Sequence, residues 1–265
     1  MTKRVIVTGA ASGIGAAACE ELRSRGAAVA GLDVNARADG LIECDVRDQE
    51  SVDRAVAEAI ERLGGLDVLV NNAGIGPTQS AGLPPGDDAV ACIDVNLLGP
   101  WRVTAAALPA LRETDGRVVN VASGLAHLAV PFAPAYCMSK RGLVAYSDAL
   151  RLELGDLIEV TTVYPGYVRT PIHDQSASDG FALEGIVPEE RLDDAARAVA
   201  RAALGRPVRD LATTRRGGLG YAGLRAVPRG LKDRATLAVL RRHAKRGRFD
   251  RSRLAREFVG RLLSG

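Results

Sequence analysis

The chain has 265 residues, 47% apolar and 25% charged, with a net charge of +3, enough for one α/β domain with a substantial core. No apolar run reaches the roughly 18 residues of a membrane span, and a strand-like run already begins at residue 4; neither a transmembrane segment nor a signal peptide is expected, and the chain reads as cytoplasmic. Cys19, Cys44, Cys92 and Cys137 are scattered without C-x-x-C spacing, which argues against a metal site and a disulfide framework.

Lys3-Arg-Val-Ile-Val-Thr8 reads as a short buried strand that runs into Gly9-Ala-Ala-Ser-Gly13-Ile-Gly15 and then a helical run to about Arg25. Strand, glycine-rich turn and helix in this order let the backbone approach a pyrophosphate, with the positive end of the helix dipole behind it. The spacing is G-x-x-x-G-x-G, not the commoner G-x-G-x-x-G. A second apolar run, Ala28-Val-Ala-Gly-Leu32, ends at Asp33, 20 residues after Gly13. A carboxylate there can accept bonds from an adenosine ribose and would repel a 2′-phosphate, so NAD is favoured over NADP. Arg37 is the counter-indication, since a guanidinium four residues on can reach a phosphate.

Further strand-like runs lie near residues 41–44, 67–71, 116–122 and 159–164, with a candidate seventh near 208–213. They alternate with helical patterns, which predicts a Rossmann-type doubly wound parallel sheet of about seven strands with helices on both faces. Within one helical pattern, Tyr136-Cys-Met-Ser-Lys140 puts a phenol and an ammonium on one face. A neighbouring cation lowers a phenol pKa that is ordinarily about 10 and suits it to proton transfer in alcohol and carbonyl chemistry.

With these residues in place, the chain resembles the short-chain dehydrogenase/reductase family over roughly residues 3 to 200. Thr8-Gly9 through Gly15, with Ser12, Gly13 and Ile14, resembles the family's cofactor loop, and Asp45-Val46 its adenine-contacting pair. Asn71-Asn72-Ala73-Gly74 is similar to the turn beside the cofactor. Asn96 and Ser123 match the catalytic asparagine and serine, Tyr136 and Lys140 complete the tetrad, and Pro165, Gly166, Val168 and Thr170 fall where the family closes over the nicotinamide carboxamide.

The resemblance implies an NAD(P)-dependent oxidoreductase that moves a hydride between a nicotinamide cofactor and a secondary alcohol or ketone. Tyr136 would exchange the hydroxyl proton, Ser123 would orient the substrate oxygen, Lys140 would also bond the nicotinamide ribose, and Asn96 would place a water linking Lys140 to solvent. It also implies a homodimer or homotetramer formed through helices at about 88–111 and 135–154.

Leu125-Ala-His-Leu-Ala-Val-Pro-Phe-Ala-Pro-Ala135 is apolar apart from His127 and suggests a hydrophobic pocket wall. Residues 171–187 correspond to the family's mobile lid, with apolar Ile172, Phe181, Leu183 and Ile186, and Gly180 and Gly185 as hinges. A lipophilic substrate (steroid-, terpenoid- or fatty-chain-like) is therefore favoured over a small polar ketone. His127 is read as a surface loop residue, Cys137 and Met138 as packing residues, and Trp101 as an interface or core residue.

Charge divides the chain unevenly: residues 1–200 carry 17 Lys and Arg against 28 Asp and Glu, residues 201–265 carry 18 against 4. The chain is accordingly divided into a catalytic domain over 1–205 and a last strand plus basic helical extension over 206–265. The extension is expected first to dock on an acidic surface of its own or a paired subunit, then to make peripheral membrane contact, and least to bind nucleic acid. An NAD(H)-sensing regulatory or scaffold protein using that tail is the alternative reading, against which the complete tetrad argues.

Overall fold

The computed structural model describes residues 2–36, 40–174, 178–180 and 189–264. Arg37, Phe181, Leu183, Gly185 and Ile186 lie outside the described residues, as does most of the expected lid beyond residue 174.

The strands are β1 (Arg4–Thr8), β2 (Ala28–Asp33), β3 (Leu41–Glu43), β4 (Val68–Asn71), β5 (Arg117–Val121), β6 (Glu159–Tyr164), β7 (Tyr167–Val168), β8 (Glu189–Glu190) and β9 (Asp210–Ala212). Seven form one parallel sheet in the order β3-β2-β1-β4-β5-β6-β9, and β7 pairs with β8 beside it. The helices are α1 (Gly13–Ser24), α2 (Gln49–Leu63), α3 (Asp87–Ile93), α4 (Gly99–Arg112), α5 (Pro134–Leu154), α6 (Leu192–Leu204), α7 (Arg215–Ala226), α8 (Arg229–Ala244) and α9 (Arg256–Ser264). The expected doubly wound sheet is present, with all seven expected strands.

Helices cover both faces of the sheet, which is why its strands are continuous apolar runs rather than alternations. Ile6, Leu32, Leu69 and Val118 pack with Val52, Ala59, Val103 and Leu111 of α2 and α4. Val5, Val7, Val70 and Val163 pack on the other face with Leu22 of α1 and Val199 of α6. The strand order reverses between β1 and β4, and in such sheets the crevice beyond the carboxyl ends of the strands at that point is the ligand-binding position.

One expected helix is not continuous. The run anticipated over 88–111 is divided by a π-helical turn, Asp94–Leu98, between α3 and α4. Pro100 has no N–H to donate to the carbonyl four residues back, at residue 96, so the regular ladder fails there and the wider turn takes its place. Asn96 sits in that turn, fully buried.

The basic extension is not an appendage held by charge. Leu240, Ala244, Phe249 and Ala255 are buried in one cluster with Leu125, Val130, Phe132, Ala133, Cys137 and Tyr167, and Phe258, Val259 and Leu262 pack against it. Phe258 meets Phe132 edge-on at a centroid separation of 5.5 Å. An ion pair to the body exists, Arg209 to Asp148 at 2.9 Å, but its carboxylate is half-exposed, and such pairs are worth little. Among the described residues the extension meets the body through this apolar cluster, because the body offers the apolar 125–137 segment at that place.

Candidate active site

A cavity of about 560 Å³ opens over the carboxyl ends of the strands and runs from Asp33 to His173. At one end is the glycine loop. Gly9 has φ +68°, and a Cβ there would stand 2.7 Å from the Ala73 Cα; a Cβ on Gly15 would stand 1.9 Å from the Gly9 carbonyl oxygen. Only hydrogen fits at these positions, and the resulting close turn brings Ser12, Gly13 and Ile14 at the amino end of α1 to the cavity wall. Backbone amides and the helix dipole there make a concave, positively polarised surface that can take an anion such as a pyrophosphate.

Asp33 lies at the same end, its carboxylate oxygens accepting from the amides of Ala11 and Asn35, each at 2.9 Å. Asp45 and Val46 also line the wall. Asp45 accepts from the Arg47 guanidinium at 2.6 Å, which holds its carboxyl below the usual carboxylate range. Arg47 itself reaches the cavity; sequence reasoning stopped one residue short of it, although it adjoins the expected pair.

The 71–74 turn is stapled to β1. Asn72 and Ala73 donate their amides to Thr8 Oγ1 at 3.0 and 3.1 Å, and Asn72 Nδ2 donates to the Thr8 carbonyl at 3.0 Å. Asn71 Nδ2 donates to Asn120 Oδ1 at 2.9 Å and Thr104 Oγ1 at 3.0 Å, tying β4 to β5 and α4. Asn72, Ala73 and Gly74 thereby line the cavity floor.

At the other end Ser123, just past β5, and Tyr136 of α5 both line the cavity, and the serine hydroxyl acts on the phenol to favour its ionised form. Lys140, one turn on, donates from Nζ to the Val121 carbonyl at 3.0 Å and lies 5.8 Å from the Tyr136 ring centroid. Asn96 does not reach the cavity wall. Its Oδ1 accepts from the Ile75 amide at 2.8 Å, and its Nδ2 donates to the Ile75 carbonyl at 2.9 Å and to Ser139 Oγ at 3.1 Å. Gly74 separates it from Lys140: a Cβ there would stand 3.2 Å from Asn96 Oδ1 and 3.5 Å from Lys140 Nζ.

Burial sets the electrostatics of this end. Tyr136 is pushed up to about 12 by desolvation, with the Ser123 hydroxyl pulling the other way. Lys140 is pushed down to about 8, again by desolvation. The expected lowering of the phenol by Lys140 is thus not seen in the protein alone, where burial outweighs it.

Pro165, Gly166, Val168 and Thr170 all line the cavity. Gly124 donates its amide to the Pro165 carbonyl at 2.9 Å, and Gly166 donates its amide to Glu190 Oε2 at 2.8 Å. Thr170 sits over the glycine loop, 3.2 Å from where a Gly13 Cβ would be. Leu125 and Ile172 contribute the expected apolar wall.

Other residues take different places from those expected. His127 is half-buried between Tyr164 and Tyr221, at centroid distances of 4.9 and 5.9 Å, rather than on the surface. His173, unremarked in the sequence, lines the cavity against the Tyr167 ring at 4.6 Å, and burial pushes its pKa down. Cys137 is buried as a packing residue, but Met138 is 59% exposed, because consecutive helix positions face different ways. Trp101 is 57% exposed and stacks on Tyr146 at 5.3 Å, so it is not a core residue.

A family model described as short chain dehydrogenase matches residues 3–180. The chain belongs to this family. Among its relatives, oxidoreductase UcpA of Salmonella typhimurium is 33% identical over 213 residues, covering 74% of this short chain dehydrogenase and 80% of that protein. Human retinol dehydrogenase 16 is 39% identical over 186 residues, covering 64% of this chain and 58% of that protein. A solved alcohol dehydrogenase from Thermococcus sibiricus, complexed with 5-hydroxy-NADP, superposes with a TM-score of 0.70 at 26% identity, covering 80% of this chain and 96% of that one. The short chain dehydrogenase match stops before α6, so α8 and α9 lie outside it.

Proposed function

We propose that this oxidoreductase transfers a hydride between NAD and a lipophilic secondary alcohol or ketone, with Asn96, Ser123, Tyr136 and Lys140 as its active-site set. The observation that carries the reading is the one cavity that joins Asp33 and the glycine loop at one end to Ser123, Tyr136 and Lys140 at the other. The side-chain-free cradle at Gly9 and Gly15 fits a dinucleotide pyrophosphate. Ser12, Gly13, Ile14, Asp33, Asp45, Val46 and Asn72 to Gly74 would hold its adenosine and phosphate portions, and Pro165, Gly166, Val168 and Thr170 its nicotinamide end. When bound, the dinucleotide supplies or accepts the hydride.

Tyr136 gives its hydroxyl proton to the substrate oxygen in reduction and takes it back in oxidation. Ser123 donates a hydrogen bond to the same oxygen and steadies the charge that develops there. Lys140, at about 8, carries its charge at neutral pH and stabilises the tyrosinate left when the proton departs. Asn96 fixes the backbone at Ile75 beside the gap facing Lys140, the place for a water that would return the proton from solvent.

Asp33, fixed by two amides, supports NAD, since its charge opposes a 2′-phosphate. Leu125, Ile75 and Ile172 support a lipophilic substrate, in agreement with the retinol named in one relative. Residues 1–205 would form the catalytic unit, with 206–265 as last strand and extension. Exposed Val90, Leu98, Trp101, Met138 and Leu152 on the α3–α5 surface support subunit pairing there.

The test is NADH appearance with purified protein against matched lipophilic and polar secondary alcohols, with NADP in parallel and with Asp33→Ser. Turnover on lipophilic alcohols with NAD, shifted toward NADP in the variant, is expected. Preference for NADP in the unaltered protein, or for polar alcohols, would overturn the corresponding half of the reading.

A further inference from the structure

The cations of the extension are arranged by the way it docks. On α8, Thr236, Leu240, His243 and Ala244 are buried, while Arg234, Ala238 and Arg242, and Lys245 that caps the helix, at i, i+4, i+8 and i+11, are exposed on the opposite face. Leu231 continues this outer stripe and is 56% exposed. Exposed Arg246, Arg251, Arg253 and Arg256 follow in the chain. Arg234, Arg242 and Lys245 make no ion pair among the described residues. Body carboxylates such as Asp45, Asp67, Asp94 and Glu159 are already paired with body arginines.

We propose that the outer face of α8 and the segment after it form a docking surface for an anionic phospholipid bilayer. The inner stripe is spent on the protein, so the helix lies on the membrane by charge rather than by burying an apolar face, with Leu231 available to enter the headgroup layer. Nucleic acid fits less well. Single strands are held by cations together with exposed aromatic platforms, whereas in the extension Phe249 is buried and Tyr221 and Phe258 are half-buried. No helix among the described residues is long and apolar enough to cross a membrane, so the contact is peripheral. The docked inner face packs on Leu125 and Tyr167, which also line the cavity, so a bilayer-bound molecule holds its substrate wall close to the lipid surface.

The test is co-sedimentation of the full-length protein with phosphatidylcholine vesicles, with and without phosphatidylserine, at low and raised salt. The comparison is the triple variant Arg234→Glu, Arg242→Glu, Lys245→Glu, whose fold is checked by circular dichroism and melting temperature. Binding only to the anionic vesicles, weakened by salt, is expected. Each cation near such a surface is worth about fivefold in affinity, so the variant loses more than about 100-fold. The unaltered protein remaining in the supernatant with both vesicles, or unchanged binding by a folded variant, would overturn the proposal. So would tighter binding to single-stranded DNA than to vesicles, or charge-dependent self-association without vesicle binding. None of these readouts depends on turnover, so failure here is separable from failure of the proposed reaction.

Discussion

Tyr136 is held between two opposing influences, a desolvated pocket that keeps the phenol protonated and the Ser123 hydroxyl, which favours its ionised form. Because its pKa stands at about 12, the ligand-free protein should show no Tyr136 phenolate in the neutral range. An ultraviolet difference titration against Tyr136→Phe should place its ionisation above about pH 10, and move it down when the positively charged oxidised dinucleotide is bound. A Tyr136 ionisation near neutrality in the free protein would instead restore Lys140 as the dominant influence. The same variant should lower turnover by roughly 10²- to 10⁴-fold with dinucleotide affinity retained, the scale of a lost general acid or base. At the other end of the cavity, Gly15→Ala places a methyl 1.9 Å from the Gly9 oxygen. It should abolish dinucleotide binding, read by NADH fluorescence, while circular dichroism reports whether the sheet survives.

At the scale of elements, the π-turn and the extension decide how the site is held. Asn96→Ala removes the side chain that pairs both the amide and the carbonyl of Ile75. Leaving the amide unpaired in a part-buried place, with the carbonyl keeping the weak Cys92 thiol donor, costs about 1 to 3 kcal/mol, measurable by denaturant unfolding. Leu240 of α8 is fully buried behind the substrate wall. Leu240→Ala should cost about 3 kcal/mol and raise KM for lipophilic alcohols more than it changes dinucleotide affinity. Equal effects on both would mean that the extension supports the whole fold rather than the wall.

These elements also show where the sequence was legible. Ala28 to Asp33 appears as a strand at the residues expected because its interior is an apolar run, as suits a strand buried on both faces, and Glu159 to Tyr164 does so through its β-branched Val and Thr residues. The π-turn does not, because only the missing N–H of Pro100 marks it in a segment otherwise reading as helix. His173 went unnoticed for a similar reason: it stands in a stretch without periodicity, and only the folded loop sets it against Tyr167.

At the scale of the whole molecule, the apolar surface of α3–α5 and the cationic surface of α8 face different uses. Trp101→Glu puts a charge into the first of these, in place of the exposed ring that stacks on Tyr146. The variant should shift the particle toward the monomer mass in light scattering, whereas the α8 charge-reversal variant should leave that mass unchanged. The sequence by itself determined the sheet, the glycine loop, the Asp33 position and the spacing of Tyr136 and Lys140, because steric fit and helical or strand periodicity act over a few neighbouring residues. Only the tertiary structure decided that the basic extension docks through Leu240 and Phe249, that Met138 faces solvent, and that Tyr136 is driven toward 12 rather than lowered. Burial depends on which distant segments meet, and no local pattern carries that information.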